Sequence, residues 1–139
     1  SRGLVSASAR VVRLLGFDIE PATAARPGQT LKLTLYWQAL APMKTGYTVF
    51  THLLDAPGNY VAGHDSAPAN GAYPTTSWVL HEVITDLHPI ALPADLAPGQ
   101  YYLEVGLYDP VSGVRLPAYD ATGARLAFDR ILLGSIRIE

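Results

Sequence analysis

At 139 residues the chain is the size of one domain with one core, and a hydrophobic fraction of 49% against 16% charged residues excludes intrinsic disorder. The net charge of −2, with cations scattered at Arg13, Arg26, Lys32, Lys44, Arg115, Arg125, Arg130 and Arg137, leaves no basic stripe for a phosphate backbone, so no nucleic-acid partner is expected. The absence of cysteine excludes a disulfide framework and thiolate chemistry, and no apolar run reaches the roughly 18 residues that a membrane span needs, so no direct membrane insertion is expected.

Residues 1–139 are read as a single β-sandwich domain. The chain starts at Ser1 and stops at Ile138-Glu139 inside a strand-like run, so it reads as a segment of a larger protein. Apolar and polar residues alternate from Leu31 to Gln38, placing Leu31, Leu33, Leu35 and Trp37 on one face of a strand. The same period from Tyr101 to Tyr108 turns Tyr101, Leu103, Val105 and Leu107 inward and Glu104 toward water. Turn chemistry at Asp55-Ala56-Pro57-Gly58-Asn59, Pro98-Gly99 and Asp109-Pro110-Val111-Ser112-Gly113 separates such runs. With 12 glycines and 11 prolines dispersed through the chain, no long helix survives. The predicted strands are residues 10–19, 29–39, 46–54, 59–65, 79–92, 100–108, 113–119 and 127–138. About eight strands of this kind indicate an all-β, two-sheet antiparallel sandwich of immunoglobulin or fibronectin III type, with a jelly roll as the alternative. Its inward faces include Leu31, Leu33, Leu35, Trp37, Leu103, Val105, Leu107 and Ile136.

Motifs of phosphate loops, zinc proteases, nucleophile elbows and calcium hands are missing, and the isolated domain is read as noncatalytic. An enzyme would need His52, Asp65 or Asp86 to converge in a cleft. The four histidines lack the paired spacing of structural zinc sites. His52 shares a strand face with Phe50 and Leu54, which predicts burial and a hydrogen-bond partner. No cofactor is expected, although Asp55, Asn59, Asp65, Asp86 and Asp109, placed at predicted strand ends and turns, are oxygen ligands suited to a structural calcium; the same residues also simply make turns.

The 13-residue connection 66–78 is long for a compact domain, and its segment Gly71 to Trp78 holds Tyr73, Pro74, Thr75, Thr76, Ser77 and Trp78. Such a composition suits stacking on a sugar or peptide; its rival, the commoner job of a loop tryptophan, is a lid closing the open end of the sandwich. The candidate ligand-binding residues are therefore Tyr73, Trp78, Tyr60, Asp65 and His52, with Tyr36, Tyr102 and Tyr108 adding to an outward aromatic surface. The function read from this is a carbohydrate-binding or accessory module. The alternative is a spacer or protein-interaction domain that docks on a neighbouring domain or on a second copy.

Leu35-Tyr36-Trp37-Gln38, Tyr47 through Asp55, Tyr73-Pro74-Thr75 with Trp78, and Pro98-Gly99-Gln100-Tyr101 through Asp109 together resemble an uncharacterised C-terminal sandwich module of bacterial, Chloroflexi-type membrane glycosyltransferase-like proteins. The similarity covers about residues 10–120. It implies an extracytoplasmic accessory domain, attached to a membrane protein and close to glycan, and carries no catalytic residues over. In that pattern glycine is expected at His81 and an aromatic at His88.

Overall fold

A computed structural model describes residues 2–8 and 10–139; Ser1 and Ala9, at the edge of the expected domain, lie outside the described residues. Among the described residues nine strands follow in chain order: β1 (Arg2–Ser8), β2 (Val12–Glu20), β3 (Ala24–Ala25), β4 (Thr30–Ala39), β5 (Thr48–Leu54), β6 (Tyr60–Gly63), β7 (Val83–Ala91), β8 (Gly99–Tyr108) and β9 (Ile131–Ile138). They form a four-stranded sheet in the order β1-β2-β4-β7 and a five-stranded sheet in the order β3-β9-β8-β5-β6.

The chain leaves the first sheet after β2 and joins the second through β3, which runs parallel to β9. With β4, β5, β7, β8 and β9 distributed between the sheets as they are, this is the strand order of an immunoglobulin-type sandwich, and the jelly roll is set aside. The second sheet is mixed rather than purely antiparallel, because the two-residue β3 caps its edge in parallel register.

Period-2 patterning builds the core. Leu31, Leu33, Leu35, Trp37 and Ala39 of β4 are buried against Val49 and Leu53 of β5, Leu103, Val105 and Leu107 of β8, and Ile136 and Ile138 of β9. Each fully buried side chain of this size contributes roughly 1.5–3 kcal/mol relative to exposure. On β7, Ile84, Asp86, His88 and Ile90 face inward while Val83, Thr85, Leu87 and Pro89 face out.

Three expectations are corrected. Residues 113–119 form no strand; they belong to a segment, 109–130, that bridges to β8 at Tyr108–Arg115 and closes on itself at Tyr119–Arg125. The sheet already has its neighbours in place, so alternation there reflects a surface-hugging path. The run 79–92 becomes a strand only at Val83, since His81 sits at φ +68, a left-handed position that glycine favours. The run 127–138 opens with a turn at Ala127–Asp129 before β9 begins.

Candidate functional site

The inner face of β5 carries Val49, Thr51 and Leu53, so Phe50, His52 and Leu54 lie on the outer face of the five-stranded sheet. Across the strand pair they face Gly106, Glu104 and Tyr102 of β8, respectively. Phe50 is nonetheless completely buried. Segment 109–130 folds over it and seats the Arg115 guanidinium 4.1 Å from its ring centre. Glycine at 106 makes this possible, because a β-carbon there would stand 2.4 Å from Phe50 Cζ.

Beside Phe50 the covering segment and the sheet trap a charged cluster. Glu104, expected to face water, is 4% exposed; its face of the sheet is roofed rather than solvated. His52 Nδ1 lies 2.9 Å from Glu104 Oε2, Arg130 Nη1 donates to Glu104 Oε1 at 2.7 Å, and Arg115 Nη2 lies 3.7 Å from Oε2. The other imidazole nitrogen, His52 Nε2, is 3.4 Å from Asp65 Oδ1, and Tyr108 donates its hydroxyl to Asp65 Oδ2 at 3.2 Å. Burial works against an imidazolium at His52, yet its hydrogen bonds to Asp65 and Glu104 and their negative charges prevail and raise it to about 9. Burial likewise pushes Glu104 up, but the His52 and Arg130 contacts outweigh it and hold the carboxyl below its ordinary range.

The roof is held by backbone that a bulky residue adopts only when its surroundings require it: Phe128 has φ +58 and Asp129 φ +50. Arg115 Nη1 donates to the Phe128 carbonyl at 3.0 Å, Arg125 forms a two-pronged pair with Asp129 at 2.8 Å on each prong, and Ala118 N donates to Asp129 Oδ1. Phe128 is thereby left 74% exposed, and Tyr60, edge-on to His52 at 5.1 Å between ring centres, is 61% exposed. Between them opens a hollow of about 350 Å³ lined by His52, Leu54, Gly58, Tyr60, Glu104, Arg115, Phe128 and Arg130. A smaller one of about 210 Å³ adjoins it, sharing His52 and Arg115.

Of the five residues singled out from sequence, His52, Tyr60 and Asp65 therefore meet here. Tyr73 and Trp78 do not join them as a stacking surface. Trp78 is 6% exposed within the intersheet core, its Nε1 donating to the Tyr73 carbonyl at 2.9 Å, and Tyr73 packs half-buried against that core with its hydroxyl on Glu82. Thr75, fully buried, accepts from Tyr47 N and donates to the Thr45 carbonyl. Loop 66–78 thus packs its tryptophan ring into the core, where a ring of this size gains from burial.

Asp86, expected near a strand end, is instead wholly buried in mid-β7 with His88. Trp37 Nε1 donates to Asp86 Oδ2 at 3.1 Å, His88 Nε2 donates to the same oxygen at 2.7 Å, and Ala69 N donates to Oδ1 at 2.9 Å. The Nδ1 atoms of His64 and His88 lie 2.9 Å apart. Burial and the neighbouring His88 hold His64 below the ordinary histidine value. This chain fastens loop 66–78 to the core and is separate from the His52 cluster. Asp55 and Asn59 bond each other, and Asp109 accepts from Val111 N, as turn residues do. Among the described residues no three His, Asp or Glu side chains gather to hold a metal ion. No helix among them is long and apolar enough to cross a membrane.

No protein-family model and no curated protein matches the chain. Among solved structures, the alkylpurine DNA glycosylase AlkC of Pseudomonas fluorescens, bound to DNA containing an abasic site analog, is similar at a TM-score of 0.54 and 12% identity. The match covers 93% of this chain and 30% of that one, so the chain spans under a third of the glycosylase. The likeness is one of fold. A chain of a CaDoc0917–CaCohA2 complex aligns at a TM-score of 0.31 and 12% identity, over 84% of this chain and 92% of that one.

Proposed function

We propose that this domain is a noncatalytic, carbohydrate-binding accessory module whose ligand seats in the hollow between Tyr60 and Phe128. The observation that carries this reading is the pairing of two aromatic rings, exposed to 61% and 74%, with hydrogen-bonding groups held rigid at the floor. Exposed rings of this size are unfavourable in water and present apolar faces on which the C–H face of a pyranose stacks, while fixed polar groups orient its hydroxyls. The hollow's volume falls at the small end of the roughly 300–1,000 Å³ range of small-molecule sites. Resemblance to modules of membrane glycosyltransferase-like proteins supports an extracytoplasmic setting near glycan.

Nuclear magnetic resonance titration with glycans selected on an array tests it. Binding that shifts His52 and Glu104 resonances and is lost in folded Tyr60→Ala and Phe128→Ala variants is the expected result. Intact binding in both variants, or no binding to any glycan, refutes it. A docking role for the domain is favoured by a second observation: Val79, Leu80, Val83 and Leu87 form an exposed apolar stripe on and beside the edge strand β7. Concentration-dependent dimerisation in sedimentation, abolished by Leu87→Lys, is expected if the partner is a second copy; a strict monomer excludes that partner.

A further inference from the structure

The hollow has a sign. Of its eight lining residues, Arg115, Arg130 and His52 are basic and Glu104 alone is acidic. The cluster's second carboxylate, Asp65, sits on the opposite imidazole nitrogen and is not part of this lining. Glu104 is also spent: one oxygen takes Arg130, the other takes His52, and it is buried beneath the cations it fixes. Arg115 and Arg130 keep 33% and 24% of their side-chain surface exposed. Each guanidinium carries five N–H donors, more than one carboxylate and one carbonyl can accept. His52, held protonated by its two carboxylates, adds a third positive group at neutral pH.

We infer that the ligand is an acidic saccharide, whose anionic substituent pairs with Arg115 and Arg130 while its ring stacks on Tyr60 and Phe128. This rests on the carbohydrate reading and adds to it the charge of the sugar. A neutral sugar offers the guanidinium donors only uncharged hydroxyl acceptors, whereas a carboxylate or sulfate accepts from them in the short, charge-assisted geometry that arginine favours. Glu104 then acts as a buried anchor that keeps the guanidinium groups at fixed positions before the ligand arrives, so little side-chain entropy is lost on binding.

Calorimetric titration with a matched pair decides the matter: oligogalacturonate and its methyl ester, which differ only in the charge and the added methyl of each carboxyl group, with sulfated galactan oligosaccharides as a third arm. The acid is expected to bind roughly tenfold or more tighter than the ester, with affinity falling between 0.05 and 0.5 M salt. Arg115→Gln is expected to remove most of the difference between acid and ester. Sulfated galactan binding in place of uronate identifies sulfate as the anionic group and supports the inference. Equal affinity for acid and ester, both dependent on Tyr60, overturns it and leaves the carbohydrate reading standing. No saccharide binding in any arm overturns both. Inorganic phosphate or acetate competing as strongly as the acidic sugar also overturns it, since the rings would then contribute nothing. The acid–ester comparison needs only the wild-type chain, so it decides even if Arg115→Gln fails to fold.

Discussion

A single methyl group added at Gly106 should disturb the floor of the hollow. The new β-carbon would lie 2.4 and 2.5 Å from two carbons of the Phe50 ring and 3.2 Å from the Asp129 carbonyl oxygen, where ordinary contact begins at 3.4 Å. The ring must retreat by about 1 Å, and it has nowhere to go: Phe50 is fully buried, with Arg115 on it and His52 4.9 Å away. Overpacking of this kind costs about 1–3 kcal/mol, partly offset by the roughly 0.5–1 kcal/mol that alanine gains over glycine in extended backbone. Gly106→Ala is therefore expected to lose about 1–2 kcal/mol, seen as a urea midpoint lowered by roughly 0.5–1 M with an unchanged slope. Phe50→Leu in the same chain should relieve the clash, so that the double variant loses less than the sum of the two singles by at least about 0.5 kcal/mol. An unchanged midpoint for Gly106→Ala, or strict additivity in the double variant, would refute the packing described for Phe50.

His52 is raised to about 9 in the fold from 6.5, so its contribution is complete below about pH 6.5 and is lost as pH rises through 9. Urea unfolding of wild type between pH 6 and 10 should decline about 1–2 kcal/mol more than that of His52→Gln, a figure reduced for its partial exposure; parallel profiles would refute the linkage. Asp86→Ala strips three donors of their acceptor in the interior and is expected to cost about 3–5 kcal/mol in chemical denaturation, against under about 1 kcal/mol for the turn variant Asp55→Ala at the surface. Trp78→Ala should cost about 3–5 kcal/mol through the cavity it leaves, while any saccharide dissociation constant measured on the folded fraction stays at the wild-type value; a lost affinity would restore the loop as a site.

The sandwich could be read from the chain because alternation is a local signal. Leu31 through Trp37 and Tyr101 through Leu107 fall inward as their period demands, with the tyrosine and tryptophan near the strand ends. Alternation assigns faces, but it does not say whether the far face is wet. Glu104 was read as solvent-exposed on that ground, and it is buried because Arg115 and Arg130, 11 and 26 residues away in sequence, arrive from a segment whose path has no periodic signature. The same period held the clue to Asp86 and His88, which alternate with Ile84 and Ile90 and so had to face the core. Charge and polarity masked it, since neither residue looks like packing until its partners Trp37 and His64 are known. His52 and Asp65 were legible as candidates but their meeting was not, for they lie on the paired strand β5 and just beyond β6, and no separation along the chain encodes that proximity.

The hollow has a divided origin. His52, Tyr60 and Glu104 belong to the sheet and inherit its rigidity, whereas Arg115, Phe128 and Arg130 arrive on a strap pinned to it at Phe50 and Glu104. The strap contributes nothing to the intersheet core apart from Ala118 and the partly buried Leu116 and Leu126. Its length and composition can therefore drift over generations without unfolding the sandwich, provided the two pins persist. Homologous chains would be expected to share the imidazole–carboxylate floor while differing in the faceplate above it.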